Sequence, residues 1–327
     1  MQSMLKEDTN RSSLLKNLLL QEGFDLQNIG LAVIDLQSPQ GILFGINMDR
    51  FMYPASVYKV FIGAEVLRQV ENNILSLEQT TRIAAPNAVE TDTVLYPDIR
   101  HRTPLCTGDS VTIDTLLYRM LAHSDNTASN TLIDIVGRDN ITNNIIHRYH
   151  WEGSEITRKF LPRDKEDPGY VYASTTKLCA RHAAEFFYLV ETKQLISNFV
   201  SIKLKEYMLA WKETEVGSMQ LPAYASFYRK GGHYEHNFHL SKVTSHYKKT
   251  GFGLEFAQSK MWRLFKTIMT KGYAFVRYVN DAGVIEGPHS HYVLAIFSET
   301  RQLVPRKQFR LKKLATLIFE YMENQKN

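Results

Sequence analysis

The sequence is short of the features that mark several large classes of protein. It has only two cysteines, Cys106 and Cys179, far apart in 327 residues. They could form a disulfide, but their spacing favours two buried free thiols. No stretch approaches the roughly 18–20 apolar residues of a membrane span. Zinc-finger spacing, a Gly-rich phosphate loop and an arginine-aromatic stripe are missing, and the formal charge of +5 is dispersed. Nucleic acid is therefore not an expected partner, whereas an anionic cell wall or membrane surface remains compatible with the charge.

The first residues, MQSMLKEDTNRSS, lack the charged and then apolar pattern of a secretory signal. We expect a cytoplasmic protein, unless a signal has been removed from a longer precursor; a periplasmic or extracellular protein is then expected. A hydrophobic content of 44% and a charged content of 22% are ordinary for a globular protein. A chain of this length can bury a large core, and we expect it to act as a monomer.

Apolar periodicity predicts strands near both ends of the chain and helices between them. Strand patterns cover 29–36, 42–47, 224–229, 275–279 with 283–285, and 292–298. Helical patterns cover 14–22, 57–70, 113–121, 127–136, 180–189 and 307–322, and long polar connections cover 84–110 and 152–176. We predict an α/β (α+β) fold with one antiparallel sheet built from both termini, 1–53 and 222–327, flanked by helices. An all-helical lobe, 54–221, is inserted, and the cleft between the lobes is the expected active site.

The first candidate for chemistry is Ser56-Val57-Tyr58-Lys59, at the predicted start of a helix. Spacing of i, i+3 places the serine hydroxyl and the lysine amine on one face, one turn apart. A serine needs a neighbouring base to become a nucleophile, and a lysine kept neutral by burial can serve. The helix N-terminus also offers backbone N–H groups to a developing oxyanion. Ser-x-x-Lys recurs at Ser3, Ser13, Ser174 and Ser245, but Ser56 alone opens a strong apolar helix directly after two strands.

The second candidate, Ser124-Asp125-Asn126, interrupts two helical patterns and occurs once. Ser, Asp and Asn are preferred helix N-caps, so the segment could be a cap and nothing more. As part of a site it would supply a hydroxyl for proton relay from Ser124 and an amide for substrate from Asn126.

In this order the two motifs resemble those of penicillin-binding proteins and class A β-lactamases, in which Lys-Thr-Gly on a strand follows. The resemblance covers roughly residues 14–232 and 273–322, including LSLEQ after the serine helix and Thr-Ala-Ser-Asn after Asn126. It implies a serine hydrolase that is acylated at Ser56 by a β-lactam or a D-Ala-D-Ala-like peptide from peptidoglycan and is then hydrolysed. No cofactor and no metal is implied.

The third motif has two candidates. Lys249-Thr250-Gly251 is the literal match, but it lies 125 residues after Ser124, whereas Lys230-Gly231-Gly232 lies 106 residues after it. The family spacing and the preceding LPAYASFYR favour Lys230. Gly231 then replaces a hydroxyl residue that helps to hold the substrate carboxylate, which weakens β-lactam binding by about 10–100-fold. The resemblance places the second oxyanion N–H at His233.

The loop that follows Thr157-Arg158 departs from the family. Class A enzymes have a glutamate there that activates the deacylating water, and its position falls on Phe160. Asp164 and Glu166 are possible substitutes, but solvated loop charges are the simpler interpretation. Slow deacylation is therefore expected.

Further along, Asn280-Asp281-Ala282-Gly283-Val284-Ile285 resembles the family again, and Arg277 is a candidate ligand of the substrate carboxylate. Between the two regions lies an insertion, 233–272, with a predicted amphipathic helix over 254–269. The insertion contains four histidines, His233, His236, His239 and His246. Without cysteines and with few carboxylates, a basic surface lobe is favoured over zinc binding.

We therefore predict Ser56, Lys59, Ser124 and Lys230 as catalytic residues, and Asn126, Gly231, Gly232, His233 and Arg277 as substrate-binding residues. Two alternatives remain. One is a D,D-peptidase or esterase on the same fold, favoured by the missing glutamate. The other is a non-catalytic module that binds a cell wall or a partner through the insertion.

Overall fold

The computed structural model describes residues 5–38, 40–89, 103–156, 158–161, 165–167, 176–210, 221–237, 275–302 and 311–326. The strands are β1 Lys6–Glu7, β2 Ile29–Asp35, β3 Ile42–Ile46, β4 Thr80–Arg82, β5 Ser110–Thr112, β6 Ser226–Asn237, β7 Phe275–Glu286 and β8 His291–Gln302. The helices are α1 Thr9–Gln21, α2 Lys59–Glu71, α3 Ile113–Ala122, α4 Asn126–Val136, α5 Arg138–Ile141, α6 Ala180–Glu191, α7 Asn198–Leu209 and α8 Leu311–Glu323.

Strands from both ends of the chain form one sheet of six strands in the order β1-β3-β2-β8-β7-β6. Only the short β1 runs parallel to its neighbour; the other neighbouring strands are antiparallel. This arrangement confirms the predicted fold class. β4 and β5 form a separate two-stranded sheet next to the helices.

The large sheet separates two hydrophobic layers, and β2 shows how the sequence divides between them. Ala32 and Ile34 point into the larger core with the helices of the inserted lobe, including α2 and α4. Leu31 and Val33 point to the other side, where α1 and α8 cover the sheet. All four residues are buried, as expected for a central strand with helices on both faces.

The main differences from the predicted elements are at their ends. α1 begins at Thr9, earlier than predicted, because Asp8 caps it by accepting a hydrogen bond from the backbone N–H of Arg11 at 2.9 Å. α7 was not predicted as an element of its own. Its buried stripe is short, with Val200, Leu204 and Met208 inward while Leu209 is exposed.

β6 and β7 are longer than predicted and pair without interruption from Ser226↔Glu286 to Asn237↔Phe275. The first five residues of the predicted insertion, 233–237, are therefore part of the sheet. Gly231 and Gly232 hide this continuation in the sequence, because glycine interrupts the alternation that marks a strand. The predicted helix over 254–269 lies outside the described residues.

Both cysteines are free, with Cys106 exposed and Cys179 buried, so the prediction of two buried thiols is right only for Cys179. Burial raises the pKa of the Cys179 thiol to about 12. No helix among the residues described is long and apolar enough to span a membrane.

Candidate active site

Ser56 lies in a single 3₁₀ turn, Ala55–Tyr58, that leads directly into α2. The turn places Ser56 at the surface of the core, because Ala55 and Val57 on either side are buried whereas Ser56 is partly exposed. Ala55 has a φ of +47°, a conformation that costs energy for any residue with a side chain. The sequence predicted that Ser56 lies at a helix start; the structure adds the strained backbone before it.

Lys59 is fully buried at the first position of α2. Its Nζ donates to Oδ1 of Asn126 at 2.7 Å and to Oγ of Ser124 at 3.2 Å. It also donates to the backbone carbonyl of Ser124 and lies 4.3 Å from the ring centre of Phe160. An amine taken out of water needs such partners, and these hold it between Ser56, one turn earlier, and the loop before α4.

The loop before α4 divides capping and chemistry between neighbouring residues. Asp125 is the N-cap of α4, accepting from the backbone N–H of Ala128 at 3.0 Å, and it pairs with Arg119 at 2.7 Å. Ser124 has a φ of +56°. With Asp125 as the cap, the side chains of Ser124 and Asn126 are both available to contact Lys59. The helix cap is therefore Asp125, while the roles of Ser124 and Asn126 in a reaction stay predictions.

β6 brings the third predicted element against the nucleophile. A Cβ on Gly232 would lie 2.6 Å from the backbone N of Ser56 and 2.7 Å from the carbonyl O of Pro54, so no side chain fits there. Lys230, two residues earlier and thus on the same face of the strand, is fully buried. Gly231 points to the other face. Lys249 lies outside the described residues.

β6 is the edge strand of the sheet as far as the chain is described. Half of the backbone groups of an edge strand are not used by the sheet. The close approach of Gly232 to Ser56 shows that this edge strand runs past Ser56. His233, the predicted oxyanion donor, follows Gly232 on the same strand, and its side chain is exposed.

The register of the hairpin separates Arg277 from the other predicted site residues. Asn280 lies opposite Gly232, whereas Arg277 lies opposite Glu235. Because side chains alternate between the two faces of a sheet, Arg277 starts on the face opposite to Lys230. This register does not bring Arg277 to the side of the sheet that contacts Ser56. The sequence motif does not predict on which face of the sheet Arg277 lies, because a shift of one residue in the strand register would exchange the faces.

Phe160 occupies the place where the resemblance puts the deacylating glutamate. Its ring stacks on that of Tyr58, with centres 5.2 Å apart, besides contacting Lys59. Its backbone N–H donates to Oδ1 of the buried Asn130 at 2.7 Å. The Tyr58 hydroxyl, whose pKa burial raises well above its ordinary value, donates to the carbonyl of Arg158 at 2.6 Å. An aromatic ring thus lies beside Lys59, in the position that the resemblance assigns to a glutamate in class A enzymes.

The nearby carboxylates serve a different purpose. Glu166 is buried, with one oxygen 2.6 Å from Nη2 of Arg138 and the other 3.8 Å from Nη2 of Arg158. Oδ2 of Asp167 lies 2.8 Å from the same Nη2 of Arg138. These ion pairs fasten the loop to α5. Asp164 lies outside the described residues.

Two of these contacts were not predicted. Tyr58 lies within the Ser56–Lys59 motif and Asn130 ends the Thr-Ala-Ser-Asn run, but neither was assigned a role, and both hold the loop that carries Phe160. Asn130 is one turn after Asn126 and lies within an apolar stripe. A fully buried asparagine needs hydrogen-bond partners, so an asparagine on the inner side of a predicted helix was the signal that could have indicated this contact.

Among the residues that the structure describes, no group of histidine, cysteine and carboxylate side chains could hold a metal ion. Of the four histidines of the insertion, His233 and His236 lie on β6. His239 and His246 lie outside the described residues.

Comparison with known proteins shows the family to which the chain belongs. A model of the β-lactamase enzyme family matches residues 10–322, so the chain belongs to that family. No curated protein matches it in sequence.

Among solved structures, PBP-A aligns with a TM-score of 0.66 and 17% identity, over 98% of this chain and 98% of PBP-A. A β-lactamase from Chitinophaga pinensis DSM 2588 aligns with a TM-score of 0.66 and 18% identity, over 98% of this chain and 100% of that protein. The TLA-1 extended-spectrum β-lactamase aligns with a TM-score of 0.67 and 15% identity, over 96% of this chain and 99% of that protein. At identities of 15–18%, the similarity to these structures establishes the fold alone.

Lys230→Ala is expected to reduce the rate of acylation by a β-lactam about 10²-fold or more, because it removes a buried cation beside the nucleophile. Lys249→Ala is the matched control and should change the rate little. The measurement is the second-order rate constant for covalent labelling. The reverse pattern would show that the literal Lys-Thr-Gly is the functional element.

Gly232→Ala is expected to reduce acylation about 10²-fold, since the added methyl group would displace the backbone of Ser56 or Pro54. The labelling rate is measured together with the thermal unfolding midpoint, so that a misplaced nucleophile is distinguished from an unfolded protein. A folded variant that is labelled at the rate of the wild type would show that the strand tolerates a wider spacing from Ser56.

Proposed function

We propose that this protein is a serine hydrolase that β-lactams or acyl-D-Ala-D-Ala-like amides acylate at Ser56 and that releases the acyl group slowly. The observation that carries the proposal is the buried Lys59, held against Ser124 and Asn126 immediately beside Ser56. Ser56 and Lys59 are one turn apart in a single motif, whereas Ser124 lies 65 residues after Lys59. The contact of Lys59 with Ser124 and the close approach of Gly232, on the strand that carries Lys230, to Ser56 support the proposal.

In the proposed reaction Lys59 is neutral, so it keeps at most two of its three hydrogen bonds to Ser124 and Asn126 as donor. It accepts the proton of Ser56 while Oγ attacks the carbonyl carbon of the substrate amide. Backbone N–H groups of Ser56 and His233 stabilise the oxyanion, and the amide C–N bond then breaks. The leaving nitrogen takes a proton through the Ser124 hydroxyl. Asn126 and Lys230 bind the substrate. Water later hydrolyses the Ser56 ester and restores the enzyme.

A second candidate, a D,D-peptidase or esterase on the same fold, is favoured by Phe160. Its ring leaves no carboxylate at that point to activate the deacylating water. A point mutant of PBP-A, one of the structural neighbours, is described as an acyl-enzyme complex with penicillin G. A long-lived acyl-enzyme fits this candidate as well as a slow β-lactamase.

Labelling with a fluorescent penicillin followed by mass spectrometry tests the proposal. Ring opening by Ser56 adds the whole penicillin, so the protein mass should rise by the full mass of the probe. Peptide mapping should place the adduct on the peptide that contains Ser56. A protein that remains unlabelled at millimolar probe would indicate a non-catalytic binding module, and an adduct at Ser124 would overturn the assignment of the nucleophile.

A further inference from the structure

One carboxylate, that of Glu191, joins the sheet to two helices of the inserted lobe. It lies at the last position of α6, with 16% of its side chain exposed. One of its oxygens accepts hydrogen bonds from the Tyr228 hydroxyl of β6 at 2.7 Å and from Nζ of Lys205 on α7 at 2.8 Å. The other oxygen lies 3.3 Å from Nε2 of His291, the first residue of β8. None of these four residues was assigned a role from the sequence.

These contacts keep Glu191 in its charged form. Burial by itself would raise the pKa of this carboxyl group, but the hydrogen bonds from His291, Lys205 and Tyr228 outweigh burial and lower the pKa of Glu191 to about 2. Glu191 is therefore ionised at neutral pH. Hydrogen bonds to a charged group are stronger than those between neutral groups, so Tyr228 is held firmly at its hydroxyl.

The ring of Tyr228 is fixed as well as its hydroxyl. Tyr228 is 4% exposed, and the centre of its ring lies 6.1 Å from that of Phe187 on α6. Nζ of Lys205 lies 4.8 Å from the same ring centre. A tyrosine has only two side-chain torsions, so a packed ring with a hydrogen-bonded hydroxyl has little freedom left. β6 is thus tied to α6 and α7 at Tyr228.

This tie lies next to Lys230 on the strand. Tyr228, Lys230 and Gly232 share one face of β6, because side chains alternate along a strand. That face contacts the inserted lobe on both sides of Lys230, at Tyr228 through Glu191 and at Gly232 through the backbone of Ser56. Each contact is two residues from Lys230, or about 6.6 Å along the strand. Since glycine has no side chain to pack, the anchor before Lys230 is Tyr228.

The position of β6 depends on such side-chain contacts more than that of a central strand. In the part of the chain that the structure describes, β6 pairs with β7 on one side only. In the proposed function Lys230 binds the substrate beside Ser56, and a buried ammonium group there suits a carboxylate such as that of a penicillin. A displacement of about 1 Å in such a site can reduce a rate about 10²-fold.

We propose that Glu191 is a positioning residue for Lys230. Through the Tyr228 hydroxyl it fixes the distance of β6 from the helices, and so the place where Lys230 meets the carboxylate of the substrate. The inference rests on the proposed function for the role of Lys230. Loss of the tie should weaken the part of acylation that depends on the substrate carboxylate and spare the part that does not.

The kinetic test compares benzylpenicillin with its methyl ester, which has the same rings and side chain but no carboxylate. In Tyr228→Phe, which removes one oxygen atom, the ratio of the acylation rate constant of the acid to that of the ester should fall about 3–10-fold. This is part of the 10–100-fold fall expected for Lys230→Ala, which removes the whole charged hydrogen bond. A purely structural defect would lower both rate constants equally, so an unchanged ratio in Tyr228→Phe would overturn the proposal.

Tyr188→Phe is the matched control. Tyr188 also lies on α6 and is buried, but its hydroxyl donates to the carbonyl of Gln40 at 3.5 Å and not to Glu191. The ratio in this variant should equal that of the wild type.

A double-mutant cycle tests whether Tyr228 acts through Glu191. Glu191→Ala should lower the ratio at least as much as Tyr228→Phe, and the double variant should be no worse than Glu191→Ala, because the two changes remove one contact. Effects that multiply would show that the residues act separately and would refute the link. Tyr228→Phe decides by itself if Glu191→Ala does not fold.

Hydrogen exchange separates failure of the tie from failure of the proposed function. Without substrate, the backbone amides of residues 229–237 should exchange about 10-fold faster in Tyr228→Phe than in the wild type, and at the same rate in Tyr188→Phe. Mass spectrometry of the peptide measures this. Equal exchange in Tyr228→Phe and the wild type would overturn the proposal, whatever the labelling of Ser56 shows. If no β-lactam acylates the wild type, the proposed function fails, and the exchange still decides whether Glu191 holds β6.

Discussion

Ser56→Ala is expected to abolish covalent labelling by a fluorescent penicillin. The substitution removes only the Ser56 hydroxyl, which is the group that forms the ester with the opened β-lactam. Since removing a nucleophile leaves no other route to a stable ester, labelling should fall below detection in a gel or by intact-mass measurement. The lysine and the loop at Ser124 contact each other independently of Ser56, so the variant should fold.

Ser13→Ala provides the matched control. Ser13 begins a second Ser-x-x-Lys sequence in the middle of α1, where its hydroxyl donates to the carbonyl of Thr9 at 2.9 Å in an exposed position. Labelling of that variant should equal that of the wild type. Labelling that persists in Ser56→Ala would contradict the proposed nucleophile.

Turnover of nitrocefin is expected to show a burst of about one equivalent followed by a slow steady state. In the proposed function acylation uses Ser56 and Lys59, but Phe160 occupies the position of the glutamate that would activate water for deacylation. Such a base contributes about 10²–10⁴-fold, or roughly 3–5 kcal/mol of barrier. Stopped-flow measurement with one to ten equivalents of substrate will separate the two phases.

Phe160→Glu should raise the steady-state rate about 10-fold or more, because it places a carboxylate beside the Lys59 amine. Phe160→Leu removes the ring without adding a carboxylate and should leave the slow phase unchanged. Rapid turnover without a burst in the wild type would refute the expectation. Glu166→Gln and Asp164→Asn would then show whether either carboxylate acts as the base. For Glu166 this would be in addition to its ion pair with Arg138.

Much of the architecture was predictable because it depends on local patterns. The continuous apolar runs of β2 and β8, and the apolar stripes of α3 and α6, mark their elements within a few residues of the observed ends. The prediction of one sheet from both termini followed from where these patterns lie. The extension of β6 through Asn237 did not, because two consecutive glycines interrupt the pattern.

The predicted site divides in the same way. Ser56 and Lys59 are close in sequence, and Ser124 and Asn126 flank a helix cap, so residue type and spacing could indicate them. The face of Arg277 and the commitment of Glu166 to Arg138 depend on contacts between distant segments. A shift of one residue in register would exchange the faces of β7, and no local pattern records that choice.

The sequence by itself determined the family motifs, the order of the elements and the absence of a glutamate at Phe160. Only the tertiary structure decided that Lys59 is held by Ser124 and Asn126 and that Gly232 abuts Ser56. It alone also decided that Glu191 meets Tyr228. The physical reason is that periodicity and residue type act over one or two turns of chain, whereas burial and hydrogen bonding join segments tens to hundreds of residues apart.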